Sequence, residues 1–213
     1  MKKLRFPALL LSVILLLTSL PCLLASCGRS KAPALDAVRG RLEEVLDASV
    51  DINAILFGAG LPVYERGSAE DELIGRYYAL RDDGTELVTP YARYFDTEEL
   101  ELALRSVYCK KYADSLCEML FTGYSMGSSS GSILAARYSK DENGLYQSSA
   151  YEPLISGIRI YDYSSMEMDP SSNADFIKIR IDFRRDEPAS EWTQTTLTFV
   201  SQDGTWYLDS PCY

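Results

Sequence analysis

Apolar residues between positions 35 and 46 recur at steps of three and four, and charged residues fill most of the positions between them. The apolar set is Leu35, Val38, Leu42, Val45 and Leu46. Because this spacing gives a helix one apolar stripe, it predicts an amphipathic helix that begins near residue 34 and ends at about Ser49. A second, shorter helix is predicted over residues 51–57, ended by the glycines at 58 and 60.

A stronger helical signal begins at Asp96. This residue supplies an acceptor for the free amides of a first helical turn, and Glu99 supplies the carboxylate that reaches back, as in a capping box. The apolar positions that follow lie on one helical face, and Gly123 ends the run. They are Leu100, Leu104, Val107, Tyr108, Tyr112, Leu116, Met119 and Leu120. The pattern fits one helix, or two helices that meet near Cys109.

From residue 133 onward the apolar positions alternate with polar ones instead. Ile177, Ile179, Ile181 and Phe183 alternate with charged residues, which is typical of a half-buried antiparallel strand. Further strands are predicted around 158–160 and over 133–138, 145–149, 192–201 and 205–208. Asn-Gly at 143–144 and Asp-Gly at 203–204 predict the turns of two hairpins, and 164–174 and 184–191 are predicted loops.

Two stretches carry weaker signals. Asp-Gly at 83–84 predicts a hairpin that joins residues 77–80 to 86–91, and a helix over 70–80 is the alternative. The Gly/Ser run at 127–132 predicts a flexible loop, because a phosphate-binding loop would need a suitably placed Lys and a helix after it.

The order of these elements predicts the fold class. Helices followed by consecutive antiparallel strands indicate an α+β fold, in which N-terminal helices pack on a curved, mainly antiparallel sheet formed by the C-terminal half.

The N-terminus is cationic and then apolar. Lys2, Lys3 and Arg5 precede a mainly apolar run over residues 6–24. An export signal and a retained transmembrane helix both begin in this way, and about twenty apolar residues can span a bilayer. The residues at the C-terminal end of the apolar run favour the export signal, because Leu24-Ala25-Ser26 stands directly before Cys27.

The segment 24–27 resembles the lipoprotein box of bacteria. The resemblance implies that the leader is removed, and that Cys27 becomes the mature N-terminus and carries a diacylglycerol, often with a third acyl chain. Cys22 fits less well, because Pro21 precedes it where a small residue is wanted. Since two or more acyl chains anchor a protein stably, we expect a lipid-anchored chain on the extracytoplasmic face of a bacterial cell membrane, inner or outer. The predicted organisation is a signal peptide over 1–26, a short tether over 27–33 and one α+β domain over 34–213.

Charge and composition exclude several classes of protein. The formal charge is −10, and residues 1–26 contribute three basic and no acidic side chains, so the remainder stands at −13. No basic patch with interleaved aromatic residues occurs, and an acidic chain repels phosphate backbones, which argues against nucleic-acid binding. The sequence contains no histidine, which excludes Ser-His and Cys-His nucleophile pairs and histidine-ligated zinc.

Three cysteines follow Cys27, at positions 109, 117 and 212. Eight residues of helix separate Cys109 from Cys117 by about 12 Å, beyond the roughly 7 Å that a disulfide allows between Cα atoms. We expect buried thiols, and a disulfide from Cys212 to one of the others is the alternative. Asp141 and Asn143 suggest a calcium loop only faintly, because no helix flanks them and Leu145 is not a ligand. No metal or cofactor is therefore predicted.

The C-terminal tail, with Gly204-Thr205-Trp206, resembles the closing hairpin of many small exported bacterial domains. The order of elements over about 90–210 also resembles two families. One is the nuclear-transport-factor-two-like cone, and the other is the exported inhibitor of cell-wall D,L-endopeptidases, which residues 95–121 and the strand-rich tail resemble. Neither resemblance rests on a diagnostic motif, so neither assigns a functional residue.

Three functions follow as hypotheses. The first is a non-enzymatic binding module of the cell envelope, for which fifteen tyrosines suit a contact surface with a peptide, a wall fragment or an envelope protein; inhibition of an envelope hydrolase is its sharpest form. The second is a small enzyme with a carboxylate and tyrosine acid–base pocket, for which Asp162 between Tyr161 and Tyr163 is the most suggestive group. Neighbours in a strand point to opposite faces, however, so Asp162 would not face either tyrosine. The third is an accessory subunit of a transport or secretion complex.

Overall fold

The N-terminal helical pattern folds into one long helix. The structure is a computed structural model that describes residues 30–64, 84–89, 92–125, 133–134, 136–142, 144–149, 153–155 and 157–213. Helix α1 runs over Leu35–Leu56, so the predicted division into two helices after Ser49 was wrong. The predicted apolar stripe is nevertheless the buried face, and it continues through Ile52 to the end of the helix.

Two polar residues on the buried face of α1 explain why the sequence suggested a break there. Ser49 is fully buried, and its hydroxyl donates to the carbonyl of Leu46 at 2.6 Å. Asn53 is also buried, and its side-chain amide donates to the Cys212 thiol at 3.2 Å. Because both side chains find partners inside the protein, the helix continues through positions that favour turns in isolation.

The second helical region consists of two helices that meet near Cys109. Helix α2 covers Thr97–Val107 and helix α3 covers Lys110–Cys117, which runs into a π-helical segment over Glu118–Thr122. The break lies where the Cys109 amide donates to the carbonyl of Leu208 at 2.8 Å instead of continuing the helical ladder. Gly123 follows with φ at 88°, a conformation that glycine adopts without strain.

The predicted capping box is present at the start of α2. Asp96 Oδ1 accepts from the Glu98 amide at 2.8 Å, and Glu99 Oε2 accepts from the Phe95 amide at 2.9 Å. The returning bond reaches the residue before the cap rather than the cap itself. Both carboxylates therefore satisfy amides at or beside the helix start.

A buried arginine and a tyrosine cover the C-terminal end of α1. Arg137 is 1% exposed, and its Nε and Nη2 donate to the carbonyls of Ile55 at 3.1 Å and Gly58 at 2.7 Å. The Tyr138 hydroxyl also donates to Ile55, at 2.8 Å. A cation at this position complements the partial negative charge of the helix end and satisfies carbonyls that have no intrahelical partner.

The middle of the chain forms two small antiparallel sheets. Strands β1 (Thr85–Leu87), β5 (Gly144–Ser148) and β4 (Tyr138–Asp141) pair in that order. Strands β2 (Tyr124–Ser125) and β3 (Ile133–Leu134) pair with each other, so the strand predicted over 133–138 is divided between β3 and β4. The first arm of the predicted hairpin at 77–80, the alternative helix over 70–80 and the loop at 127–132 lie outside the described residues. The second arm, predicted over 86–91, contains strand β1, which begins at Thr85.

The C-terminal strands form a four-stranded antiparallel meander, in sequence order. They are β6 (Arg159–Met168), β7 (Phe176–Arg185), β8 (Thr193–Gln202) and β9 (Thr205–Leu208). The predicted Asp203-Gly204 turn joins β8 to β9, with φ at 52° and 78° in its two residues. Positive φ at both positions is the geometry of a type I′ hairpin turn.

Strand β6 extends beyond its predicted end, because the region predicted as a loop from residue 164 begins with a bulge. Four residues of β6, 163–166, lie opposite the single residue Ile181 of β7. The Ser165 hydroxyl holds the distortion, since it accepts from the Asp182 amide at 2.8 Å and donates to the Asp162 carbonyl at 2.7 Å. The extra residues break the period of two, which is why the sequence pattern ends before the strand does.

The main core lies between α1 and the four-stranded sheet, with α2 and α3 at its side. Ile177, Ile179 and Ile181 of β7 are fully buried and meet the apolar stripe of α1. Residues Ala32–Tyr213 make one compact unit. The predicted α+β class, with N-terminal helices on a mainly antiparallel C-terminal sheet, is confirmed.

Candidate functional site

The residue with the most specific sequence motif, Cys27, lies outside the described residues, as do the predicted signal peptide over 1–26 and the start of the tether. None of the helices that the structure describes combines the length and the hydropathy needed to cross a membrane. The predicted lipid attachment at Cys27 therefore stays a prediction.

The other three cysteines are free thiols. Cys109 and Cys212 are buried, as predicted, whereas Cys117 is only partly buried. The Cys109 thiol donates to Asp209 Oδ1 at 2.7 Å. Burial, reinforced by this bond to a carboxylate, raises the pKa of Cys109 above its usual value, so the thiol stays protonated. The geometry does not describe a reactive cysteine.

A network of buried polar groups surrounds the Cys212 thiol. The Tyr108 hydroxyl donates to Asn53 Oδ1 at 2.7 Å and lies 3.2 Å from Cys212 Sγ. The Tyr161 hydroxyl donates to the backbone oxygen of Cys212 at 3.1 Å. Burial raises the pKa of Tyr108 and Tyr161, which keeps both phenols neutral. The network joins α1, the α2–α3 corner, β6 and the tail, and its contacts give it a structural role.

The predicted carboxylate and tyrosine grouping does not form an acid–base pocket. Asp162 Oδ1 accepts from the amide and hydroxyl of Ser164, at 2.9 and 2.5 Å. The rings of Tyr161 and Tyr163 stack with centroids 6.4 Å apart, and the Tyr163 hydroxyl bonds to Asp47. As the alternation of side chains predicts, Asp162 joins neither ring. Over the described residues, the buried polar side chains are Ser49, Asn53, Thr89, Arg137, Ser148 and Asn173, with no Asp or Glu among them.

Three arginines lie at one end of the four-stranded sheet. Arg159 and Arg185 are directly paired across β6 and β7, and the next pair is Ile160 with Arg184. Cross-strand partners share a face, so the first two arginines lie on the side that faces α1, and Arg184 lies on the outer side. Like charges directly opposite each other are unfavourable in a sheet.

Arg159 is held from several directions. Its guanidinium carbon lies 4.2 Å from the ring centroid of Phe183, and Nη2 donates to the backbone oxygen of Tyr213 at 2.8 Å. The tail is fixed in turn, because the Tyr213 ring stacks on Phe57 with centroids 4.1 Å apart. Arg159 Nε is buried and has no hydrogen-bond partner among the described residues.

The arginine pair borders a small cavity of about 10 Å³ beneath the end of α1. Arg159 and Arg185 line it together with Asn53, Ile158, Cys212 and Tyr213. This volume holds about one water-sized particle, so the cavity does not fit an organic substrate. The sequence pattern does not reveal this cluster, because it predicts a loop over residues 184–191, whereas β7 continues to Arg185.

Exposed apolar residues lie around the same end of the sheet, and Trp192 is the one beside Arg184 on its outer side. Trp192 is 52% exposed, and the guanidinium carbon of Arg184 lies 5.6 Å from its ring centroid. Ile158 is 39% exposed and precedes β6, and Leu154 is 63% exposed in the segment before it. Tryptophan and arginine are the residue types most often found to dominate binding energy at protein interfaces.

No protein-family model matches the chain, and a search of curated proteins finds no significant match.

Proposed function

We propose that this protein is a lipid-anchored binding module of the bacterial cell envelope, held on the extracytoplasmic face of the membrane through Cys27. The observation that carries the proposal is the sequence Leu24-Ala25-Ser26-Cys27 at the end of a cationic and apolar leader. A leader of this kind is an export signal, and two or more acyl chains on the cysteine supply stable attachment without a membrane-spanning helix.

Binding, rather than catalysis, is supported by the form of the domain. Its interior is filled by an apolar core and by the satisfied network around Cys212. The outer end of the four-stranded sheet presents Trp192 beside Arg184, which suits contact with a peptide, a wall fragment or another envelope protein. The high net negative charge of the domain favours solubility and resists association with an anionic membrane surface.

The attachment is tested by labelling bacteria that express the full chain with an alkyne analogue of palmitate. The wild-type protein should acquire the label and sediment with membranes. The Cys27→Ser variant should lose the label, because it lacks the thiol that receives the diacylglycerol. Cys22→Ser is the matched control, since it removes the neighbouring cysteine of the leader and should leave labelling unchanged. Labelling that survives in Cys27→Ser contradicts the proposal.

The topology is tested in the same cells by adding protease to spheroplasts. A chain anchored outside the cytoplasm should be degraded while a cytoplasmic marker stays intact. A chain that becomes sensitive only after the cells are lysed would place the domain on the wrong side of the membrane.

A further inference from the structure

Residues 211–213, called the strap below, pack against the domain in the way that a bound peptide packs against its receptor. They follow β9 and belong to no strand. Within the part of the chain that the structure describes, they make no hydrogen bond from backbone to backbone. Side chains of other elements hold the strap instead, so it lies outside the ladder of the sheet.

The groups that hold the strap are hydrogen-bond donors directed mainly at its backbone. The Tyr161 hydroxyl donates to the backbone oxygen of Cys212 at 3.1 Å, and Arg159 Nη2 donates to that of Tyr213 at 2.8 Å. The side-chain amide of Asn53 donates to the Cys212 thiol at 3.2 Å. Donors aimed at main-chain oxygens supply affinity for an extended peptide, whatever side chains it carries.

An aromatic contact adds selectivity for a side chain. The Tyr213 ring stacks on Phe57 with centroids 4.1 Å apart and planes 22° apart, and Phe57 itself is fully buried. Stacked aromatic pairs contribute more than their buried area alone. The groove beneath the strap therefore favours an extended segment that carries an aromatic residue.

The strap does not fill this groove completely. A cavity of about 10 Å³ remains between them, lined by Asn53 and Arg159 from the groove and by Cys212 and Tyr213 from the strap. Pro211 is exposed and Tyr213 is only partly buried, so the strap lies at the surface. A surface segment without ladder hydrogen bonds can detach while the core stays folded.

We infer that the groove formed by Asn53, Phe57, Arg159 and Tyr161 is a binding site for an extended peptide with an aromatic side chain. The strap is its resident occupant, and a peptide segment of a partner protein displaces it. The groove is a different surface from the one around Trp192, and it does not need lipid at Cys27. Failure of the proposed attachment and failure of this inference are therefore separate results.

The first test asks whether the strap opens by itself. The full-length protein, purified in detergent, is treated with iodoacetamide without denaturant and then digested with trypsin. Cys212 and Cys109 are both 2% exposed, and they fall in separate tryptic peptides, 186–213 and 106–110. Local opening should let Cys212 react at least about tenfold faster than Cys109. Equal rates would mean that only global unfolding exposes the two thiols, which would overturn the inference.

Tyr213→Ala tests the aromatic contact in the same assay. Loss of the stack on Phe57 should raise the reaction rate of Cys212 by about tenfold and leave that of Cys109 unchanged. Phe95→Ala is the matched control, because it removes a ring that is 50% exposed before α2, and it should change neither rate. An unchanged Cys212 rate in Tyr213→Ala would contradict the role given to the ring.

The second test measures binding of a peptide in trans by fluorescence anisotropy, with reductant present. The probe is a labelled peptide with the sequence of residues 209–213. Tyr213→Ala should bind it at least about tenfold more tightly than the wild type, whose strap competes as an intramolecular ligand. A probe with alanine in place of its tyrosine should bind at least about tenfold more weakly. Equal affinities of the two proteins, or no binding to Tyr213→Ala at millimolar peptide, would make the strap a fixed part of the fold and overturn the inference.

Two further variants locate the peptide, each combined with Tyr213→Ala. Arg159→Gln should weaken binding of the probe, because it removes a donor to the backbone of the segment in the groove. Arg180→Gln is the control, since Arg180 lies on β7 and pairs with Glu167 at 3.1 Å, and it should leave binding unchanged. Equal effects of the two changes would place the peptide elsewhere. A dimer of the wild type in size-exclusion chromatography that Tyr213→Ala dissociates would assign the groove to the strap of a second copy, and would also overturn the inference.

Discussion

Replacement of Arg137 by methionine tests how the C-terminal end of α1 is held. The guanidinium is buried, and it donates to the carbonyls of Ile55 and Gly58. Methionine keeps much of the side-chain volume and supplies no donor. The substitution therefore isolates the hydrogen bonds and the interaction with the helix dipole from the loss of packing.

The magnitude follows from these two bonds. A hydrogen bond to a charged group contributes about 1.5–3 kcal/mol, so losing both removes about 3–6 kcal/mol. Tyr138 still donates to Ile55, and methionine does not require a charge to be buried, which together return part of the loss. We expect a net decrease of about 3 kcal/mol in the free energy of unfolding, a large share of the 5–15 kcal/mol typical of a domain.

The assay is equilibrium unfolding in urea, followed by circular dichroism, with the midpoint and slope fitted for each variant. Arg105→Met is the matched control. Arg105 is at the surface and pairs with Glu101 at 2.7 Å and with Asp114 at 2.5 Å, and its loss should cost less than about 1 kcal/mol. If Arg137→Met is no more destabilising than Arg105→Met, the helix end does not depend on this arginine and the reasoning fails.

Three further predictions concern single features of the fold, each measured by the same urea unfolding. Asp96→Ala removes the N-cap of α2 and should lower the free energy of unfolding by about 1 kcal/mol. Unchanged stability would mean that another group caps this helix. Gly60→Ala should cost about 2 kcal/mol, because φ at Gly60 is 90° and its Cβ would meet the Gln147 side chain; wild-type stability would contradict that geometry. Burial raises the pKa of Tyr108 and Tyr161, so the unfolded state releases their protons first. The contribution of these two tyrosines to the free energy of unfolding should therefore be fully present below about pH 10 and decrease above it. Absorbance at 295 nm should show that these two phenols ionise only when the protein unfolds. Ionisation of all the tyrosines before unfolding would refute the burial.

The parts of the fold that were predictable are those where local pattern and tertiary structure agree. The alternation through Ile177, Ile179 and Ile181 gives a strand because one face of β7 meets the core. The acceptor at Asp96 and the Asp203-Gly204 pair each act within a few residues, so their outcome needs no distant partner.

The parts that were missed depend on contacts between distant residues. Asn53 is accommodated on the buried face of the last turn of α1 because Cys212 and Tyr108, far away in the chain, satisfy its amide. The pairing of β1 with β5 joins segments that are far apart in the chain, and no local signal specifies it. Local propensity predicts secondary structure poorly where residues distant in the sequence provide the hydrogen-bond or strand partners.

The candidate site shows the same division. The motif at Cys27 can be read from four adjacent residues, so the sequence alone yields a sharp prediction for it. The pairing of Arg159 with Arg185 depends on the register of β6 against β7, and the bulge after Asp162 means that only the structure supplies it. Two charges that meet across a sheet can be predicted only when the register of the two strands is known.

The most direct test of the proposed anchor is mass spectrometry of the protein purified from bacterial membranes. Trypsin should release the N-terminal peptide Cys27-Gly28-Arg29 with a diacylglyceryl group on its thiol and no residue of the leader before it. A chain that retains residues 1–26, or one that begins at Cys27 with an unmodified thiol, would contradict the claim that lipid on this cysteine holds the domain at the membrane.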